Sequence, residues 1–571
     1  MAPILRGPRR ESAVGTVGTS AALSLTMNDT PPPSSPRTLE NDATGAPVTL
    51  ARWVGIAAGV VGAGVALGVG EFLSGLSSRV PSLVIAVGEL FVDVTPGAFV
   101  ESGIQAAGTN DKPILLATIV VASLLVGGAL GRAARTRRRR GDLGFLAFGV
   151  FGAWAAQRNP FAATGWSIVA ALVAAATGAL TLRVVLAIAA LPAVKNRADM
   201  RAPANLSFPA RRAFLGLTGT AALAAVVSAT VGRSLRNGRS VEGARQQVAL
   251  PRVSGASGVS GTVDAAAAAT PAGALDAAVA GISSYITPSK SFYRIDTALV
   301  VPQVDPKGWK LKIGGLVDRP YEITYDEILA MDLVEHTVTL SCVSNPVGDE
   351  YVGNAVWRGV PLTTILDRAG VKPTAKQIVG ISVDGFDASF PTELAYDGRT
   401  ALLAVGMNGE PLPVRHGFPA RLVVAGLYGY VSAVKWLKEI RLADATYDAY
   451  WIPRGWSKLG PIKTQSRIDV PRTPKINAGR TAIGGVAWAP RKGIAKVEVQ
   501  IDNGDWQPCK VGGSTSDETW VQWMADWDAK PGKHSIRVRA TDKTGFTQSA
   551  KEVDPRPNGA EGQHTISVTV I

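Results

Sequence analysis

Cysteine and histidine are both scarce in this chain. Its 571 residues hold two cysteines and four histidines. Cys342 and Cys509 alone exclude a disulfide framework, a multi-cysteine zinc site and an iron–sulfur cluster. The histidines, His336, His416, His534 and His564, all lie in the second half. No Cys-x-x-Cys-His run exists for covalent haem, and no apolar segment carries the histidines of a bis-histidine haem. Charge is also sparse. Only 18% of residues are charged, against about 25% in soluble domains. With 46% apolar residues, that deficit points to a membrane component. It also excludes a chain that is disordered throughout.

The apolar residues gather early. Residues 1–48, with the run Pro31-Pro32-Pro33-Ser34-Ser35-Pro36, read as a disordered cytoplasmic tail and not as an ordinary signal peptide. Trp53–Leu73, Pro113–Gly131, Leu143–Gln157, Thr164–Val194 and Ala213–Val231 then read as spans, a crossing helix needing about 20 apolar residues. Val80–Val100 carries Glu89, Asp93 and Pro96. It reads as a segment that dips in, lies at the interface, or makes a sixth span. A membrane domain of five or six spans over 49–232 follows.

The net charge of +14 is a topology signal. Arginines crowd 132–140, and Lys195, Arg197, Arg201, Arg211 and Arg212 crowd a second loop. Positive loops stay on the cytoplasmic side, so the segment after Arg211-Arg212 carries the rest of the chain outward. Arg211-Arg212-Ala213-Phe214-Leu215-Gly216 before an apolar stretch also resembles a twin-arginine export signal. Nucleic-acid binding is not indicated, because no basic face on a folded domain is needed to account for the charge.

Residues 233–285, rich in Gly, Ser and Ala, read as a flexible linker. Residues 286–462 mix strands (Trp309–Ile313, Ile378–Val383, Arg421–Val424) with short helices (Thr324–Ala330, Leu362–Ala369), an α+β pattern. Residues 463–571 show strands at Ala482–Trp488, Ile494–Ile501, His534–Ala540 and His564–Val570 with turns between them, the pattern of an immunoglobulin-like β-sandwich.

Chemistry concentrates in two places. Cys342 ends an apolar run in Thr339-Leu340-Ser341-Cys342-Val343-Ser344-Asn345. It reads as a buried small hydrophobe, a soft metal ligand or a nucleophile. Cys509 reads as structural. The second cluster is His416-Gly417-Phe418-Pro419-Ala420-Arg421, then Gly426-Leu427-Tyr428-Gly429-Tyr430 and Lys435. Glycines allow close approach, and the basic groups suit an anion such as phosphate. A strand and loop with exposed charges is the plainer reading.

In order along the chain, these motifs resemble the sulfite oxidase family of molybdopterin enzymes, of the actinobacterial type with a multi-span N-terminal membrane domain. Phe292-Tyr293-Arg294, Trp309–Val317, Thr324-Tyr325-Asp326-Glu327-Ile328, Cys342 with Asn345, Trp357–Leu362, Met407–Pro413 and His416–Arg421 carry the resemblance. It implies an α-helical membrane bundle, an α+β molybdopterin-binding catalytic domain over 286–462 and a β-sandwich dimerisation domain over 463–571. It also implies that Cys342 ligates molybdenum, while Arg294, Asn345, His416, Arg421, Ser432 and Lys435 bind the molybdenum-molybdopterin cofactor. Arg294 is the second expected catalytic residue.

The activity so implied is oxygen-atom transfer to or from a small, sulfur-containing substrate on the extracytoplasmic side of the cell membrane. Electrons would pass through a separate cytochrome or membrane redox protein, with no haem or iron–sulfur cluster in this chain. A homodimer through the sandwich is expected. Pro346-Val347 follow Asn345 where sulfite-oxidising members have arginines. A reductase of sulfoxides or N-oxides is therefore the rival direction, and a cofactor-free membrane-tethered binding module is the rival class.

Overall fold

The computed structural model describes residues 51–571, apart from 96–98, 100–102, 104–109, 160–161, 191–207, 252 and 254–269. The expected N-terminal tail, most of the second basic loop and Ala265–Ala269 lie outside the described residues.

Among the described residues, six longer helices occupy the first half: α1 (Arg52–Leu76), α2 (Leu83–Val94), α3 (Asp111–Ala134), α4 (Arg138–Ala156), α5 (Thr164–Ala189) and α6 (Phe208–Asn237). Four of them, α1, α3, α5 and α6, are long and apolar enough to cross a membrane. The expected fifth span, α4, opens on Arg138-Arg139-Arg140, which shortens its apolar stretch. α2 has 12 residues, too few to cross alone. Packing runs through small residues, as helices associate in lipid. A Cβ on Gly59 of α1 would collide with the Gly127 carbonyl of α3, and one on Gly68 would press on Ala225 of α6. The sequence points to Glu89 and Asp93 as the notable acids here, yet Glu71 of α1 is the buried one. It pairs with Arg236 of α6 at 3.0 Å and hydrogen-bonds Ser82.

A short helix, α7 (Glu242–Gln246), follows. The α+β region then holds two sheets. One is ordered β2-β1-β10-β5-β6, from β1 (Lys310–Gly315), β2 (Tyr321–Thr324), β5 (Gln377–Ser382), β6 (Asp387–Pro391) and β10 (Leu437–Ala443). The other runs from β3 (Val334–Ser341) through β4 (Val352–Pro361) and β7 (Ala401–Met407) to β8 (Glu410–Pro411), with β9 (Arg421–Val424) paired to β7. Helix α8 (Tyr325–Leu329) packs beside β2, α9 (Leu362–Ala369) against β4 and β7, and α10 (Gly429–Ser432) against β6 and β9. Thr324 and Glu327 close a capping box on α8, which the sequence Thr-x-x-Glu specifies.

The C-terminal sandwich stacks β11 (Gln465–Val470), β13 (Gly479–Trp488), β17 (Val521–Ala529) and β16 (Lys510–Val511) over the sheet β12-β19-β18-β14-β15. That second sheet holds β12 (Lys475–Ile476), β14 (Ile494–Ile501), β15 (Gln507–Pro508), β18 (Gly532–Asp542) and β19 (Thr565–Val570). The expected strands of both domains are present.

Described residues at both ends of the 233–285 segment are packed. Arg245 of α7 is buried, bonded to Glu410 at 2.9 Å and to the Leu412 carbonyl at 3.0 Å. Leu275, Val279 and Ile282 pack on Val470, Ala482 and Met524 of the sandwich. Tyr285 is fully buried, its hydroxyl donating to Thr519 at 2.9 Å. Small-residue composition hides this, although Leu275, Val279 and Ile282 stand at i, i+4 and i+7; they form turns against the sandwich and no regular helix.

Candidate active site

Arg421, the first residue of β9, is 5% exposed. Its guanidinium donates to the His416 carbonyl at 3.1 Å and lies 4.9 Å over the Trp357 ring. Among the described residues it forms no salt bridge. Burial pulls its pKa down to about 10. A buried cation held only by carbonyls and a ring is costly until an anion joins it.

His416 ends a single 3₁₀ turn, Val414–His416. Gly417 follows at φ +112, and a Cβ there would press on Arg421 and Lys435. This glycine lets the His416, Arg421 and Lys435 backbones converge. The imidazole Nε2 bonds the Ser289 carbonyl at 2.9 Å. Burial, with Arg421 and Lys435 beside it, holds its pKa down to about 3, so the ring is neutral at pH 7.

Lys435 donates to Asp296 and to the Ile295 carbonyl, both at 2.9 Å. Burial lowers its pKa to about 8 against the pull of Asp296. Asp296 is the hub of the basic residues. It also takes Arg294 at 2.7 Å and Lys112, from the first turn of α3, at 2.9 Å. Burial alone would raise the Asp296 carboxyl; the three cations outweigh it and hold the group well below the usual carboxylate range.

Cys342 follows β3 and is buried. Its amide bonds the Tyr351 carbonyl at 2.9 Å and its sulfur meets the Ser344 hydroxyl at 3.0 Å. Burial pushes the thiol up. Asn345 accepts from the Tyr351 amide at 2.8 Å, while its buried Nδ2 has no partner. Tyr293 is electrostatically coupled to Cys342, and burial keeps its phenol protonated. Among the described residues no group of three His, Cys, Asp or Glu could hold a metal. The described residues therefore offer no further ligand cluster to a metal on Cys342.

A cavity of about 490 Å³ is lined by His416, Arg421, Lys435, Tyr293 and Asp296. Ser432 lies fully buried on α10, its hydroxyl given to the Tyr428 carbonyl at 3.1 Å. Arg294 is committed to Asp296, and Arg454 lies 3.7 Å over the Tyr450 ring. Of the other histidines, His564 packs at Gly348 behind the cysteine loop and His534 pairs with Asp502 at 3.0 Å on the sandwich. Sequence reasoning missed Lys112, the bridging role of Asp296 and the Trp357 platform. The Arg294-Ile295-Asp296 run was the one available signal for the bridge.

A family model for the oxidoreductase molybdopterin binding domain matches residues 298–451. An uncharacterized oxidoreductase of Bacillus subtilis, YuiH, is 33% identical over 170 residues, 30% of this chain and 83% of that one. The chain belongs to the sulfite oxidase family of molybdopterin oxidoreductases. Human mitochondrial sulfite oxidase is 27% identical over 303 residues, 45% of this chain and 55% of that one. Nitrate reductase [NADH] 1 of rice (Oryza sativa subsp. japonica) is 28% identical over 338 residues, 48% of this chain and 35% of the relative. The chain thus spans about half the length or less of these longer relatives.

The site fits the family's cofactor on its own chemistry. A buried guanidinium without an anion, an orphaned Asn345 amide and a buried thiol suit a phosphate, a hydrogen-bonding ring and a soft metal.

Proposed function

We propose that this protein is a membrane-anchored molybdenum-cofactor oxidoreductase. It transfers an oxygen atom to or from a small, sulfur-containing substrate outside the cytoplasm and exchanges electrons with a separate partner. The observation that carries this reading is Arg421, a buried cation without a carboxylate, which Gly417 brings up against His416 and Lys435.

Bound there, the cofactor supplies two-electron chemistry at molybdenum. Cys342 would supply the chain's thiolate ligand on losing its proton. Arg421 and Lys435 would hold the phosphate, and His416, tied to Ser289, fixes the turn between them. Asn345, whose Nδ2 has no partner, would donate a hydrogen bond to the cofactor. Tyr293 remains a hydrogen-bond donor.

Topology supports the outside placement. Lys112 at the start of α3 touches the catalytic domain through Asp296, whereas α3 ends at the arginine run 132–140. Gly55 near the start of α1 packs against Gly131 at that same end of α3. Positive residues mark the cytoplasmic end, so the catalytic domain sits at the opposite one.

The reductase direction is favoured by a specific feature. Lys112, Arg294 and Lys435 all bond Asp296, which leaves little free positive charge for a dianion such as sulfite. Assays of the full-length protein decide it. Sulfite oxidation with a cytochrome acceptor supports the oxidase; dimethyl sulfoxide or trimethylamine N-oxide reduction with a reduced dye supports the reductase. Loaded protein inert in both assays contradicts the oxygen-transfer reading.

A further inference from the structure

The sandwich reaches the cysteine loop from two sides. β3, which leads into Cys342, is the edge strand of its sheet, and an edge leaves backbone groups without partners. A loop of the sandwich supplies them. The Thr339 amide donates to the Glu518 carbonyl at 3.0 Å, and the Trp520 amide donates to the Thr339 hydroxyl at 2.8 Å. That hydroxyl donates in turn to Asn354 of β4 at 2.9 Å. Thr339, Asn354 and Trp520 are all buried, so the two strands that flank the loop are fixed close to Cys342.

The second hold is on the loop's tip. Arg467 of β11 is buried and points its nitrogens in three directions. Nε pairs with Asp469 at 2.7 Å, Nη2 donates to the Ser283 hydroxyl at 2.9 Å, and Nη1 leaves the sandwich to reach the Asp349 carbonyl at 3.0 Å. Beside it, His564 takes the Ile468 amide on Nδ1 at 2.9 Å and turns the other edge of its ring to Gly348. Gly348 has φ +84, and a Cβ there would lie 2.2 Å from that ring. The glycine serves both the backbone and the contact. The tip so held carries Ser344, whose hydroxyl meets the Cys342 sulfur at 3.0 Å, and Asn345, whose Oδ1 takes the Tyr351 amide at 2.8 Å. Asp469 alone compensates the buried charge of Arg467. The bond to Asp349 has no use within the sandwich itself.

We propose that the sandwich positions the metal-ligand loop, and that Arg467 is the positioning residue through which it acts. The inference rests on the cofactor reading above, with Cys342 as the thiolate. Neither Arg467 nor His564 is among the described residues that line the cavity. They fix the tip, and the tip fixes Ser344 and Asn345 around Cys342. A lysine is a point charge on one nitrogen, whereas the guanidinium fork serves three acceptors at once. Arg467→Lys therefore keeps a cation beside Asp469 and gives up the reach to Asp349. Gly348→Ala loosens the same tip from the loop's own side.

The test uses full-length protein in two arms. Amide hydrogen exchange on protein from a host without the pterin reads the loop in the cofactor's absence. Residues 343–350 should exchange about tenfold faster or more in Arg467→Lys and in Gly348→Ala, as the loss of a bond to a charged group predicts, while β14 and β18 exchange as in wild type. Paramagnetic resonance of partly reduced, molybdenum-loaded protein reads the ligand, and the Arg467→Lys spectrum should differ from wild type. Unchanged loop exchange in the folded variants, or faster exchange spread over the whole sandwich, overturns the proposal. A faster loop with a wild-type spectrum overturns it too. Wild-type protein that holds no molybdenum sinks the cofactor reading instead, and the exchange arm still decides whether the sandwich holds the loop.

Discussion

At the scale of single residues, the site sets Arg421, a buried cation without a carboxylate, beside Lys435, which Asp296 holds, and two consequences can be measured. Lys435 titrates near pH 8 in the cofactor-free protein because burial disfavours its charge. Binding a phosphate favours the charged form, so binding above that pH must take up a proton. Affinity for the metal-free pterin phosphate, whose binding releases no Cys342 proton, is therefore expected to fall between about pH 7 and pH 9, approaching tenfold per pH unit once Lys435 is neutral. Binding of that metal-free pterin to apo-protein across the range checks it; a flat profile contradicts the role of Lys435. Arg421→Met replaces a buried charge with an apolar chain of similar length. The melting temperature of apo-protein should hold or rise, because no paired carboxylate is left behind, while cofactor retention is lost. A lower melting temperature would show that Arg421 is structural. The sequence made His416, Arg421, Lys435 and Cys342 legible because their motifs are local. Asp296 was not legible as a hub, since its partners come from positions 112, 294 and 435.

At the scale of elements, strands and helices with strong local signals were readable, and those set by tertiary contact were not. Leu362–Ala369 and Ile494–Ile501 match their sequence expectations, because amphipathic spacing and alternation decide them. The packed ends of the 233–285 segment were hidden. Leu275 and Val279 matter only through the sandwich surface they cover. Helix packing in the bundle depends on missing side chains. Gly59→Leu should separate α1 from α3, since even a Cβ there meets the Gly127 carbonyl. Gly64→Ala, with about 3.9 Å of room, is the matched control. Gel filtration in detergent should show Gly59→Leu aggregated and Gly64→Ala unchanged; equal behaviour of the two would contradict the packing.

At the scale of the whole molecule, the membrane half is more than a tether. Lys112 reaches out of α3 to the Asp296 carboxylate and to the Asp296 and Ala298 carbonyls, and Asp296 in turn holds Lys435. Asp296 keeps Arg294 and Lys435, so losing the quarter-exposed Lys112 costs less than the roughly 3–5 kcal/mol of stranding a buried charge. Lys112→Ala is expected to speed amide hydrogen exchange around residues 292–300 and to lower cofactor retention, without disturbing the distant sandwich. Uniform exchange across the chain would deny the link. The two-part composition, apolar then soluble, was plain from sequence, but the junction was not, because its contacts join residues far apart in the chain. The central claim, that the soluble half is built around a molybdenum cofactor held by Cys342, is tested most directly by metal analysis. Full-length protein and Cys342→Ser are made in a host that synthesises the pterin. The account predicts about one molybdenum per wild-type chain, with pterin fluorescence after oxidation, and lost or altered molybdenum coordination in the variant. Folded wild-type protein with neither molybdenum nor pterin would contradict it.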